Sequence, residues 1–149
     1  MAKKIEIGFL LGAGISICMG APKTVNITNK LININDGNIL LMGTYNKMLS
    51  YLNSYFIDTF LNFYKLLNKI DYFFISGYSF NDKGINIRVR NFIDSQSKKT
   101  FIIHPEPDNL KINSRGIIYN NWDRWEVEEK IIVKKCKFED FNWDDISII

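Results

Sequence analysis

The sequence predicts an α/β protein, a Rossmann-like parallel sheet with helices on both faces, reduced in size. Short apolar runs typical of buried strands alternate along the chain with amphipathic stretches, and two of these runs end in a glycine. Continuously apolar strands are typical of parallel sheets, because both faces of such sheets are covered. Strands that alternate with helices indicate βαβ units, and 149 residues suffice for one domain with its own core.

Two strands and two helices are predicted in the first half of the chain. Residues 5–11 (IEIGFLL) predict a buried strand that ends at Gly12, and residues 38–43 (NILLMG) predict a second strand. A short helix is expected to begin within residues 15–20. A long helix is predicted over residues 48–69, since apolar residues recur there at steps of three and four. These residues are Leu49, Leu52, Phe56, Phe60, Phe63, Leu67 and, just beyond, Ile70.

The next strand and helix follow in the same order. Residues 71–76 (DYFFIS) predict a strand that ends at Gly77, and a helix is expected over residues 82–95. Ser79, followed three residues later by Asp82, has the form of a capping box that would start this helix.

The remainder of the chain carries weaker patterns. Residues 99–104 (KTFIIH) predict another strand, and short strands are expected at 115–119 and 129–134. We expect one domain over the whole chain, with its core in residues 5–107 and a C-terminal extension over 108–149.

Composition argues against several classes of function. The net charge of +3 gives no dedicated nucleic-acid surface, so Trp122 and Trp125 are expected to be packing residues. No apolar run is long enough to span a bilayer, so a membrane is not an expected partner. Cys18 and Cys136 lie far apart, which indicates free thiols in a reducing compartment, the cytoplasm. With His104 as the one histidine, no metal site is expected.

An export signal is an alternative explanation of the opening apolar run, because Lys3 and Lys4 precede it. Glu6 at the edge of the run argues against a signal, as does the lack of a small-x-small cleavage site before Pro22. Cleavage would also remove the clearest strand.

Three strand ends carry residues suited to a nucleotide. In LLGAGIS, Gly12 permits a turn and Gly14 lets the backbone approach a pyrophosphate, although Ile17 replaces the third glycine of the dinucleotide fingerprint. A glycine turn without a ligand is the alternative. In FFISGYSFNDKGIN, Ser76 and Ser79 offer hydroxyl groups near the start of a helix.

The other polar groups of these strand ends have structural interpretations as well. Asp82 and Asn86 lie four apart on one side of the predicted helix, where Asp82 would complete the capping box of Ser79 and Asn86 would be solvated. In TFIIHPEP, His104 stands where it could reach an adenosine ribose, or where it only ends the strand.

Together the three stretches resemble the sirtuin-like (silent information regulator 2-like) domains, including their prokaryotic relatives that hydrolyse NAD in antiphage defence. GAGISICMGAP is similar to the first family motif, GAGxS followed by G-x-P. GYSFNDKGIN looks like a later family segment, and IIHPEP is similar to a strand end that contacts adenosine, with His104 where asparagine is common. The matching residues are Gly12, Ala13, Gly14, Ser16, Gly20, Pro22, Gly77, Ser79, Asp82 and Asn86.

This resemblance implies a Rossmann-like fold and NAD or ADP-ribose as the ligand. The residues that it implies for cofactor binding are Gly12, Ala13, Gly14, Ser16, Pro22, Gly77, Ser79, Asp82 and His104.

The chain departs from the family where catalysis is expected. Family enzymes carry a general-base histidine in an L-H-G-type motif, and residues 23–37 hold at best a remnant of it, with Asn33 at the histidine position. The resemblance therefore implies nucleotide binding with little or no catalysis, and the catalytic residues stay unknown. One alternative is an active NAD hydrolase that uses Asn33 or Asp36. Another is an assembly module that packs on a partner protein or a second copy through the helix at 48–69.

Overall fold

Four parallel strands form one sheet in the part of the chain that the structure describes. That structure is a computed structural model, and it describes residues 5–12, 54–95 and 97–145. The strands follow the order β1 (Ile7–Leu11), β2 (Tyr72–Ser76), β3 (Lys99–Ile103) and β4 (Ile131–Lys134), each paired with the next. The helices are α1 (Ser54–Lys69), α2 (Lys83–Ile93), α3 (Pro107–Asn113), α4 (Gly116–Tyr119) and α5 (Trp122–Val127). This is the predicted class, a small Rossmann-like α/β fold.

The described helices all pack on the same face of the sheet, and among the described residues no α-helix covers the other face, where helices were also expected. Phe73 and Ile75 point to the helical face, and they share one buried cluster with Leu67 of α1, Val89 of α2 and Trp125 of α5. The strand order explains this arrangement. Each new strand is added on the same side of the previous one, and right-handed crossovers between such strands all place their helices on one face of the sheet. None of these helices is long and apolar enough to cross a membrane.

Aromatic rings of the C-terminal segment cover the opposite face. Phe74 and Phe101 stack with centroids 4.6 Å apart, and Phe141 packs edge-on against Phe74 at 6.3 Å. Trp143, in a short 3₁₀ turn (Trp143–Asp145), lies 4.9 Å from the ring of Phe141 and 5.9 Å from the ring of Phe9.

β1 is less buried than its sequence predicts. Ile7, Phe9 and Leu11 point to the aromatic face, and each is about half exposed, Phe9 by 49%. In the described part of the sheet β1 is an outer strand, so its apolar side chains have sheet neighbours on one side only.

Other expectations have mixed outcomes. The strands predicted at 71–76, 99–104 and 129–134 are confirmed, as is the burial of both tryptophans. The strand expected at 115–119 is wrong, since these residues form helix α4 and bury Ile118 against the core instead of pairing with a strand.

Several predicted elements fall outside the described residues. These are the helix start within 15–20, the strand at 38–43 and the first turns of the helix predicted at 48–69.

Asp94 joins the end of α2 to α5. Its Oδ1 accepts hydrogen bonds from the Trp125 Nε1–H and the Arg124 Nη2–H, both at 2.8 Å, and its Oδ2 accepts one from Arg90 at 3.2 Å. Burial by itself raises the pKa of this carboxyl, but the three donors outweigh burial and hold the pKa below its ordinary value.

We predict that Asp94→Asn lowers the free energy of unfolding by about 1 kcal/mol at pH 7, the usual worth of a hydrogen bond to a charged group that is partly exposed. The folded-state pKa is depressed, so the charged carboxyl contributes its full stability above the unfolded-state pKa. That contribution is lost as the pH falls through the folded-state value. Urea unfolding of both proteins at pH 7 and pH 3 measures the difference, which should shrink at pH 3. A difference of equal size at both pH values would contradict this account.

Candidate functional site

The carboxyl ends of β1, β2 and β3 lie side by side at one edge of the sheet. Leu11, Ser76 and Ile103 occupy matching positions in the parallel register. The Gly12 N–H donates to the Ser76 carbonyl at 2.8 Å, and the Ser76 hydroxyl donates to the Ile103 carbonyl at 3.1 Å. The three strand ends that carry the sequence motifs are therefore neighbours, because the strands pair in their sequence order.

Gly12 is needed because another backbone segment lies directly against it. A Cβ at this position would lie 2.6 Å from the Tyr78 Cα and still closer to the Gly77 carbonyl oxygen. Both atoms belong to the backbone of the turn after β2, so neither can swing away. Gly12 does not have a positive φ, so its role is the close approach of the Gly77–Tyr78 backbone and not the turn freedom expected from the sequence.

The start of α2 is capped by Asp82, not by Ser79. The Asp82 Oδ1 accepts hydrogen bonds from the Gly84 N–H at 3.0 Å and the Ile85 N–H at 3.1 Å, and α2 begins at Lys83. The capping box expected at Ser79 is therefore wrong. Ser79 is exposed and lies outside the helix.

Asn86 lies in the core and not in solvent, which corrects the expectation from its spacing. It is 1% exposed, its Nδ2 donates to the Phe80 carbonyl at 2.7 Å, and its Oδ1 accepts from the Tyr78 hydroxyl at 2.9 Å. A buried amide needs such partners, because an unpaired one would cost free energy. Here the partners come from the β2–α2 loop, residues 77–82.

The β2–α2 loop contains two residues with left-handed backbone conformation. Gly77 has φ of 65° and Phe80 has φ of 53°. A positive φ is ordinary for glycine but is an outlier for a bulky aromatic residue. The Phe80 ring is fully buried, edge-on to Trp122 at 6.0 Å, so its side chain is anchored in the core.

His104 follows β3 directly and is half buried at the same edge. Its Nδ1 accepts a hydrogen bond from the Glu106 N–H at 3.0 Å. We assign the neutral tautomer that carries its proton on Nε2, because only an unprotonated Nδ1 can accept. Nε2 can then donate a hydrogen bond, and Nδ1 is occupied.

The predicted site residues divide into two groups. Gly12, Gly77, Ser79, Asp82 and His104 stand at the ends of three adjacent strands. The others lie outside the described residues, namely Ala13, Gly14, Ser16, Gly20, Pro22, Asn33 and Asp36.

Tyr78 and Phe80 were not singled out by the sequence. The one available signal is the alternation of aromatic and small polar residues in GYSF, which is too short to distinguish a loop from a strand end.

Within residues 5–12, 54–95 and 97–145, no three side chains of His, Cys, Asp or Glu are grouped so that they could hold a metal ion. Comparisons with protein-family models, with curated proteins and with solved structures find no match to this chain.

We predict that Gly12→Ala lowers the free energy of unfolding by about 1–3 kcal/mol, the usual cost of overpacking, because its Cβ meets fixed backbone. Gly8→Ala is the matched control, since its Cβ would lie 2.5 Å from the Ile70 Cδ1, the far end of a side chain that can rotate. Thermal and urea unfolding should show the smaller loss for Gly8→Ala. Equal stability of Gly12→Ala and the parent would refute the close contact of the two turns.

We predict that Asp82→Ala costs about 1 kcal/mol, the typical loss of an N-cap, while Ser79→Ala stays within about 0.5 kcal/mol of the parent. The two substitutions remove polar groups three residues apart, so the pair separates capping from general loop effects. Urea denaturation at neutral pH is the measurement. A reversed order would restore Ser79 as the cap.

Proposed function

We propose that this chain is a reduced sirtuin-like domain that binds NAD or ADP-ribose at the carboxyl edge of its sheet, with little or no catalysis alone. The observation that carries the proposal is the adjacency of the three strand ends that resemble the family motifs. In open parallel sheets, ligands bind where strands end and helices begin. Gly12, the β2–α2 loop and His104 all stand at that edge.

The polar groups at this edge suit the nucleoside part of such a ligand. The Ser79 hydroxyl is exposed, and the Nε2–H of His104 is a donor of the kind that a ribose hydroxyl accepts. The first amides of α2 already bind the Asp82 carboxylate, which would repel a phosphate. We therefore assign the phosphates to the turn that begins at Gly12, and Asp82 to the support of the loop.

The weak catalysis that we propose rests on the position of the one histidine. A general base must reach the proton that it removes. His104 stands after β3, in the stretch similar to the adenosine-contacting strand end, and its Nδ1 is occupied by the Glu106 N–H. The chain therefore lacks an imidazole at the place where the family carries its base.

The proposal is tested by calorimetric titration of the full chain with ADP-ribose and with NAD, beside Gly14→Val and His104→Ala variants. We expect saturable binding of both ligands by the parent, loss of binding in Gly14→Val, and about ten-fold weaker binding in His104→Ala, the worth of one hydrogen bond. Far-UV circular dichroism of each variant controls for folding. Absence of binding by the parent would refute the proposal.

Nicotinamide release, followed by chromatography over hours with excess NAD, separates binding from hydrolysis. We expect little or none from the parent. Robust release that Asp36→Ala or His104→Ala eliminates would instead assign the chain to the NAD hydrolases.

A second candidate, an assembly module, is favoured by exposed apolar side chains. Ile7, Phe9 and Leu11 are about half exposed in β1, and Leu61 and Leu66 are exposed in α1. Light scattering after size exclusion distinguishes this function. A dimer that Phe9→Ser converts to a monomer, in a chain that binds no nucleotide, would support assembly over ligand binding.

A further inference from the structure

We propose that Asn86 is a positioning residue of the candidate site, which holds the β2–α2 loop in the conformation that presents Ser79 to a ligand. The inference rests on the nucleotide-binding function proposed above, and it concerns a residue that would not touch the ligand. Asn86 is buried in α2, whereas Ser79 is exposed at the edge of the sheet.

The loop needs an external support because its conformation is unfavourable in isolation. Phe80 has a φ of 53°, a region that aromatic residues seldom adopt. Such conformations persist only where surrounding contacts over-determine them, and they occur often at ligand-binding turns. The change of direction at Phe80 buries its ring while the preceding residue, Ser79, faces out.

Asn86 supplies that support from both sides of Ser79. Its Nδ2 donates to the carbonyl of Phe80 at 2.7 Å, and its Oδ1 accepts from the hydroxyl of Tyr78 at 2.9 Å. One amide group thus binds the residue before and the residue after Ser79. Because α2 is a regular helix fixed by core contacts, the amide transfers the rigidity of the helix to the loop.

Other contacts hold the same loop, among them the packing of the Phe80 ring on Trp122, but they leave this role to Asn86. The Arg115 N–H also donates to the Phe80 carbonyl, at 3.2 Å, and Gly12 packs on the backbone of Gly77 and Tyr78. These contacts fix one side of Ser79 each, whereas Asn86 spans it. Without Asn86 the loop would keep its attachment points and lose the defined direction of the Ser79 hydroxyl.

A loop that is held in advance binds its ligand without first being ordered. The ordering of side chains and loops opposes binding, so a preformed loop gives tighter binding for the same contacts. We infer that Asn86 contributes to affinity through this preorganisation, in addition to any contribution to stability.

The test compares Asn86→Leu, which keeps a similar volume and removes both hydrogen bonds, with Val89→Ala, which opens the core one turn further along α2. Val89 is fully buried and belongs to the main core cluster, so its truncation lowers the melting temperature while both hydrogen bonds of the Asn86 side chain are kept. Titration with ADP-ribose is carried out well below both melting temperatures. We expect about ten-fold weaker binding by Asn86→Leu and unchanged binding by Val89→Ala.

Amide hydrogen exchange of the ligand-free proteins gives a second readout that needs no ligand. We expect faster exchange within residues 77–82 in Asn86→Leu and not in Val89→Ala. If Asn86→Leu does not fold, Tyr78→Phe removes the hydroxyl that donates to the Asn86 Oδ1 at 2.9 Å and, more weakly, to the Asp82 carbonyl at 3.4 Å. We expect about three-fold weaker binding with the same local increase in exchange.

The outcomes separate the two proposals. Parental affinity in Asn86→Leu, or equal weakening in Val89→Ala, would overturn the positioning role while leaving nucleotide binding intact. If the parent binds neither ADP-ribose nor NAD, the proposed function fails, and exchange alone decides whether Asn86 orders the loop. Unchanged hydrogen exchange in residues 77–82 of Asn86→Leu would overturn the positioning role of Asn86.

Discussion

The parallel register of β1, β2 and β3 is the constraint on which the candidate site depends. It brings the carboxyl ends of three strands to the same level, so Gly12, the β2–α2 loop and the residues after β3 must share one small area of the sheet edge. Strands in a sheet are only about 4.8 Å apart, which leaves little room between neighbouring turns. Gly12 fits in this narrow space because it has no side chain, and the Gly77–Tyr78 backbone occupies the position where a Cβ would lie.

The same crowding explains why the β2–α2 loop is built from inward-facing aromatic groups. The Tyr78 and Phe80 rings pack edge-on to each other at 5.0 Å, and the Phe80 ring also packs edge-on against Trp122 of α5. The loop is thereby attached to the core on the helical side of the sheet. Its exposed part is reduced to a short stretch around Ser79, which is where a ligand could approach.

Most of the sheet could be predicted from the sequence, because its strands are short apolar runs between breakers. The run before Gly77 and the run before Pro105 give β2 and β3 within one residue at each end. The strand expected at residues 115–119 is wrong because an apolar β-branched run is typical of a strand, whereas the burial of Ile118 against the core favours a helix there. Local pattern does not contain such tertiary contacts.

The candidate site was predictable in its location but not in its internal contacts. Strand ends followed by glycine or histidine predict a shared edge, and the structure has Gly12, Gly77 and His104 there. The cap at Asp82 and the burial of Asn86 depend on where α2 begins, and a start three residues later makes Asp82 the cap in place of Ser79. Spacing alone could not resolve that difference.

The sequence separation of the paired strands has a consequence for the order of folding. β2 and β3 are joined across 27 residues, whereas the contact of Glu6 with Asp71 beside β1 closes 65 residues. Closing the longer loop costs about 0.8 kcal/mol more in chain entropy than closing the shorter one. β1 is therefore expected to join a sheet nucleus that β2 and β3 have already formed. Of the four described strands, the one that leaves the ribosome before the others is then the last to join the sheet, and the close contact of Gly12 with the Gly77–Tyr78 backbone forms only at that step.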